Sequence, residues 1–128
     1  MKIFRGKKDS RPSSILSIKE TDAIRIIRFQ GPVDMMTVAE IEKFQKEREG
    51  RKGFRFKNLL LDFEKVTHTD SSTVAALVEA ASALKKRHHG LGVINLGEEL
   101  LGLFEIFKVS RLVFIYSSEA EAIKKLTG

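Results

Sequence analysis

The stretch NLLLDFEKVTHTDSSTVAALVEAASALKKR, residues 58–87, changes its period part-way along. Asn58–Phe63 is almost continuously apolar through Leu59, Leu60 and Leu61, the pattern of a strand covered on both faces of a sheet. Further on, Val74, Leu77, Val78, Ala81 and Leu84 keep the i, i+3, i+4, i+7 spacing of an amphipathic helix, which runs to about Arg87. Between the two lies Asp70-Ser71-Ser72, whose short side-chain oxygens suit the unpaired N–H groups of a helix start. A buried strand feeding a helix in this way predicts an α/β domain with helices packed against a sheet.

The rest of the chain extends the pattern in both directions. Upstream, Ser14–Lys19 reads as a short strand, Glu20-Thr21-Asp22 as a polar turn and Ala23–Gln30 as a second strand, together a hairpin. Gly31-Pro32 is expected to break that strand, because proline supplies no ladder donor. Thr37-Val38-Ala39-Glu40 has capping-box form and predicts a helix over 38–49 with Val38, Ile41 and Phe44 on its inner face. Gly50 and Gly53 bracket a basic loop. Downstream, Gly90 and Gly92 close the long helix ahead of a strand at Val93–Leu96. A helix over Glu98–Phe107 should bury Leu100, Leu103, Phe104 and Phe107. Leu112–Tyr116 reads as the last strand. Ser118-Glu119-Ala120-Glu121 caps a terminal helix with Ala122, Ile123 and Leu126 inward. The expected order is β-β-α-β-α-β-α-β-α, a mixed sheet of four to five strands in one domain over 14–128, behind a flexible basic arm at 1–13.

Composition excludes several classes. With 42% hydrophobic and 31% charged residues among 128, the chain can build a core and is not of disordered type. No apolar run approaches the ~20 residues of a membrane span. The absence of cysteine removes disulfides, thiolate metal sites and thiol nucleophiles together, and a reducing cytoplasm is the expected compartment. The net charge is +6, and residues 1–11 carry five basic side chains against Asp9. No nucleic acid partner is expected, since a solvated terminus is the plainer reading of such an arm; nucleic acid binding through the arm and the Arg51–Lys57 loop is the alternative.

Templates for catalysis fit poorly. Gly97-Glu98-Glu99 places two carboxylates where a phosphate loop needs a cation. His88 and His89 are adjacent on a helix, about 100° apart, and so do not share a metal easily. His68 precedes Ser71 and Ser72 in one loop, but nothing in the sequence marks an oxyanion hole. Helix capping alone accounts for Asp70, Ser71 and Ser72.

At this point the chain resembles a known family. A strand ending in Leu61-Asp62-Phe63, followed by Val66 and then by Asp70-Ser71-Ser72 at a helix start, is similar to the STAS domain, the family of sulfate-transporter domains and anti-sigma-factor antagonists. Upstream, Gly31-Pro32-Val33-Asp34-Met35-Met36-Thr37 resembles the family's Gly-x-Leu-Asp-x-x-Thr, with Val33 in the leucine place. The likeness continues through Gly92-Val93-Ile94-Asn95 and the 106–116 stretch, covering roughly residues 14–126. One departure is Thr73, where family members usually carry glycine; it offers a second hydroxyl beside the serines.

The resemblance implies a protein-binding module that is a kinase's substrate and not itself an enzyme. Ser72 matches the serine phosphorylated by a partner kinase that doubles as the anti-sigma factor, with Asp34 and Asp70 beside it. In the unphosphorylated state such a domain sequesters that factor. The partner surface is expected to include Asp34, Asp70, Ser71, Thr73 and Ala76, with Glu79 and Ala80 further along the helix. No cofactor, metal or small-molecule substrate is implied. The alternatives are a STAS subunit of a bacterial lipid-transport ATPase complex, or a constitutive partner-binding STAS protein without phosphorylation.

Overall fold

The computed structural model describes residues 14–128; the arm expected at 1–13 lies outside the described residues. The elements are β1 (Ile15–Glu20), β2 (Ile24–Pro32), α1 (Met35–Arg48), β3 (Asn58–His68), α2 (Ser71–Lys85), β4 (Leu91–Ile94), α3 (Glu98–Phe107), a 3₁₀ turn (Val109–Arg111), β5 (Val113–Ile115) and α4 (Glu119–Thr127). The five strands lie in one sheet in chain order, β1-β2-β3-β4-β5. β1 pairs with β2 antiparallel, and every later pair is parallel.

That order determines where the helices go. Parallel crossovers are right-handed, so a sheet growing in one direction only sends every crossover helix to the same face. Accordingly Val38 and Ile41 of α1, Val74, Leu77, Ala81 and Leu84 of α2, and Leu100 and Phe104 of α3 share one core with Leu59, Leu61 and Phe63 of β3. The opposite face would be bare without the terminal helix. There Ala122 of α4 packs on Ile24, Ile26, Leu60 and Ile94, flanked by Tyr116, Ile123 and Leu126. Successive residues of β3 thus serve two cores, which is why its sequence reads as continuously apolar.

Several boundaries differ from the expectations, each for a local reason. β2 runs through Gly31 and Pro32 instead of stopping before them. Register shifts at 28–30 and 31–32 keep it paired with β3 as far as Pro32 opposite His68. β3 likewise continues past Phe63 to His68, because Lys65, Val66 and His68 still have β2 residues to pair with. β4 lies two residues earlier than predicted, starting directly after Gly90. On α3, Leu100 and Phe104 are buried and Leu103 partly so, but Phe107 is 54% exposed at the helix end. The long helix ends with His88 in the left-handed conformation at φ 62° and the His89 N–H donating to the Leu84 carbonyl at 2.9 Å.

Candidate functional site: two helix starts side by side

Both motifs that stand out in the sequence are helix caps, and the sheet brings them together. β2 and β3 are parallel neighbours, so α1 and α2 start at the same end of the sheet and α1 packs alongside α2. Gly31, with φ 68°, sits at the shifted end of β2. Just beyond it, the Val33 N–H donates to the His68 carbonyl at 2.9 Å.

Asp34 then caps α1. Its Oδ1 accepts from the Met36 N–H at 2.9 Å and the Thr37 N–H at 3.1 Å, and the Asp34 N–H donates back to Thr37 Oγ1 at 3.3 Å. The expected box at Thr37 and Glu40 is therefore displaced by one turn, and Thr37 is the third helical residue instead of the cap. Its hydroxyl is fully buried. The helix gains a turn that carries Met35 and Met36, exposed by 56% and 59%.

Asp70 caps α2 in the same way, accepting from the Thr73 N–H at 3.2 Å. Ser72 Oγ donates to Asp70 Oδ1 at 2.6 Å. That bond is the main reason the Asp70 carboxyl lies below its ordinary range; burial opposes it, and the Thr73 donors and the Ser72 N–H add to it. Asp70 and Ser71 are exposed, and Ser72 is half-buried. The hydroxyl is thus held at the positive end of a helix, beside a charged carboxylate, within reach of solvent.

Thr73 belongs to the interior. Its side chain is fully buried, and Oγ1 donates to the Val33 carbonyl at 3.2 Å, with Asp70 Oδ1 3.3 Å away. Ala80 on the same flank is also buried, while Ala76 is half-buried and Glu79 exposed. The expectation that Thr73 and Ala80 are exposed to a partner is corrected: both are buried, on a helix that packs against α1. The sequence reading missed two exposed residues at the other helix start. Met35 and Met36 extend the exposed surface beside Asp34, and a helix assumed to start at Val38 hid them. Two unbranched thioether side chains on a surface adapt readily to an apolar partner.

On the other side of the loop, His68 and Thr69 line a pocket of about 170 Å³ together with Glu98 and Glu99 of α3. Among the described residues the His68 ring makes no hydrogen bond to Ser71 or Ser72; the Ser72 hydroxyl donates to Asp70 instead. No helix among the described residues is long and apolar enough to cross a membrane.

A mixed sheet with three helices on one face, a terminal helix on the other and two capped helix starts at one end defines the class of protein. Residues 16–122 match the STAS domain family, and the chain belongs to it. It is 28% identical over 107 residues, 83% of this chain and 91% of the relative, to the anti-sigma-B factor antagonist of Listeria monocytogenes. Its fold is that of the Bacillus anti-sigma factor antagonist SpoIIAA. The unphosphorylated form of that protein matches with a TM-score of 0.63 at 18% identity, over 88% of this chain and 97% of the other. The phosphorylated form matches with a TM-score of 0.62 at 18% identity, over 85% and 96%.

Proposed function

We propose that this domain is a phosphorylation-regulated protein-binding module that sequesters a kinase-type anti-sigma factor while Ser72 is unphosphorylated. The observation that carries the reading is the Ser72 hydroxyl itself, oriented by Asp70 at 2.6 Å on an accessible helix start. The kinship with an anti-sigma-B factor antagonist supports it.

The chemistry of a switch follows from this geometry. Phosphorylation removes the proton that Asp70 accepts and adds about −1.5 to −2 charges at neutral pH. The phosphate is tolerated by the fold, since helix N–H groups and the dipole favour an anion there. Against Asp70, and near Asp34 of the neighbouring helix start, it creates a dense negative patch. A partner fitted to a neutral hydroxyl and two exposed methionines then meets unpaired charge it must desolvate. Binding is lost while the fold stays the same.

Parallel capture from lysate with wild type, Ser72→Ala and Ser72→Asp tests the proposal. Retention of a kinase-like protein by the first two and its release by Ser72→Asp is the expected result. Equal retention by all three would leave a constitutive binding role with Ser72 as part of a helix cap. Co-purification with a transport ATPase instead would overturn the anti-sigma reading.

A further inference from the structure

The opposite end of the sheet carries a second concentration of chemistry. β3 has eleven residues, and at about 3.3 Å per residue its two ends lie roughly 30 Å apart. Around its start, where β2 also begins and α1 ends, is a pocket of about 320 Å³ lined by Arg25, Arg48, Arg51, Lys52, Arg55 and Lys57. One carboxylate, Glu20, shares the lining.

That carboxylate is already engaged. Arg25 is only 3% exposed and donates to Glu20, to Gln45 Oε1 at 3.2 Å and to the Arg55 carbonyl at 3.3 Å. Lys57 Nζ lies 3.9 Å from the second Glu20 oxygen and donates to the Thr21 carbonyl at 2.8 Å. Arg25 is therefore a fixed cation in the floor. Among the described residues, Arg48, Arg51, Lys52 and Arg55 form no ion pair. Four uncompensated cations around one concavity repel each other, and its low-dielectric walls concentrate their field.

The aromatic residues nearby narrow the choice of ligand. Arg48 lies 4.0 Å over the Phe44 ring, and Arg25 approaches Phe44 and Phe54 at 5.9 and 5.4 Å. Phe54 stands edge-on to Phe56, whose ring Arg87 approaches at 4.1 Å. The rings are occupied with guanidinium groups and with each other, and base stacking of the kind that holds single-stranded nucleic acid finds no free platform. A concavity also suits a compact anion better than a duplex, which calls for a stripe of charge. Guanidinium forks match phosphate oxygens in bidentate fashion.

We infer that this pocket binds a compact, phosphate-rich anion of the di- or triphosphate class, free or displayed as a polyphosphorylated lipid headgroup. The site is separate from the Ser72 surface, and its test does not depend on the regulatory proposal.

Calorimetric titration of the full chain with sodium tripolyphosphate at low salt should show one saturable site. Arg51→Gln combined with Arg55→Gln should weaken it by about tenfold or more, as expected for losing charge-assisted hydrogen bonds. Lys124→Gln with Lys125→Gln on exposed α4 removes equal charge and should leave it nearly unchanged. Lys52→Gln provides a milder second variant should the double substitution fail to fold. Vesicles containing phosphatidylinositol bisphosphate separate the sources: binding displaced by tripolyphosphate assigns a headgroup, and tripolyphosphate binding without vesicle binding assigns a free anion. Absence of saturable binding, or equal weakening in both double variants, would overturn the inference. So would a preference for a polyglutamate peptide or duplex DNA over tripolyphosphate.

Discussion

The hydroxyl of Thr73 donates to the carbonyl of Val33, forty residues earlier in the chain, at 3.2 Å. This bond joins the first turn of α2 to the residue before the Asp34 cap of α1. Two local motifs thereby become one surface. The same bond takes the Thr73 side chain out of solvent, so the residue that departs from the family's usual glycine contributes to the scaffold and leaves Ser71 and Ser72 as the accessible hydroxyls.

Thr73→Val keeps the shape and removes the donor. Leaving a buried carbonyl without its partner should cost about 1–2 kcal/mol, read as a lower urea midpoint with an unchanged slope. Within the proposed switch, a kinase that modifies wild type should transfer no phosphate to Thr73 in Ser72→Ala, since Thr73 is not accessible without local unfolding. Phosphothreonine at 73 in that variant would contradict this.

The Asp70 carboxyl is held low chiefly by the Ser72 hydroxyl. In Ser72→Ala its titration, followed by carboxyl NMR, should move up toward the ordinary value. Global stability should change by less than about 0.5 kcal/mol, because the bond is at the surface. Asp70→Ala removes the cap itself and should cost about 1 kcal/mol. An unmoved Asp70 titration would mean that the hydroxyl does not point at the carboxylate in solution.

Gly31 occupies φ 68° where β2 shifts register ahead of Val33 and Asp34. Its absent Cβ has open space around it, so Gly31→Ala tests conformation and not crowding. It should destabilise by about 1–2 kcal/mol through left-handed strain, measured by chemical unfolding.

Acid stability should depend on Asp62. Burial pushes this carboxyl up, but hydrogen bonds from Asn95 Nδ2 at 2.9 Å, the Glu64 N–H at 2.9 Å and Arg28 at 2.7 Å outweigh it and leave it below the usual range. A carboxylate depressed in the folded state contributes stability above its unfolded pKa of about 4, and that contribution is lost as pH falls through the folded value. Asp62→Asn should therefore lower stability at neutral pH and flatten the decline in urea midpoint below about pH 4. Arg28 also bridges to Glu119 of α4 at 2.8 Å, so the change should loosen the terminal helix as well.

Met35 and Met36 matter only if the first turn of α1 is part of the partner surface. Replacing both by serine should leave the unfolding midpoint within about 0.5 kcal/mol of wild type. Under the proposed function it should weaken capture of the anti-sigma factor markedly. Full retention would exclude this turn from the interface.

The order of strands and helices, the bounds of α3 and the Asp70 cap were legible from residue types alone. Each depends on neighbours within one or two turns: apolar period, a short side-chain oxygen ahead of free N–H groups, glycine between elements. The start of α1 was not. Asp34 with Thr37 and Thr37 with Glu40 are both capping spacings, and local chemistry barely separates them. The Val33 N–H bond to the His68 carbonyl anchors the residue just before Asp34, and that partner comes from β3. The extension of β3 through Glu64 and Lys65, the burial of Thr73 and the exposure of Met35 and Met36 were equally out of reach of local pattern. All of them follow from β2 and β3 being parallel neighbours, which sets α1 against α2. Sequence determined which segments fold into strands and helices; the pairing of β2 with β3 decided which side chains at their ends meet solvent.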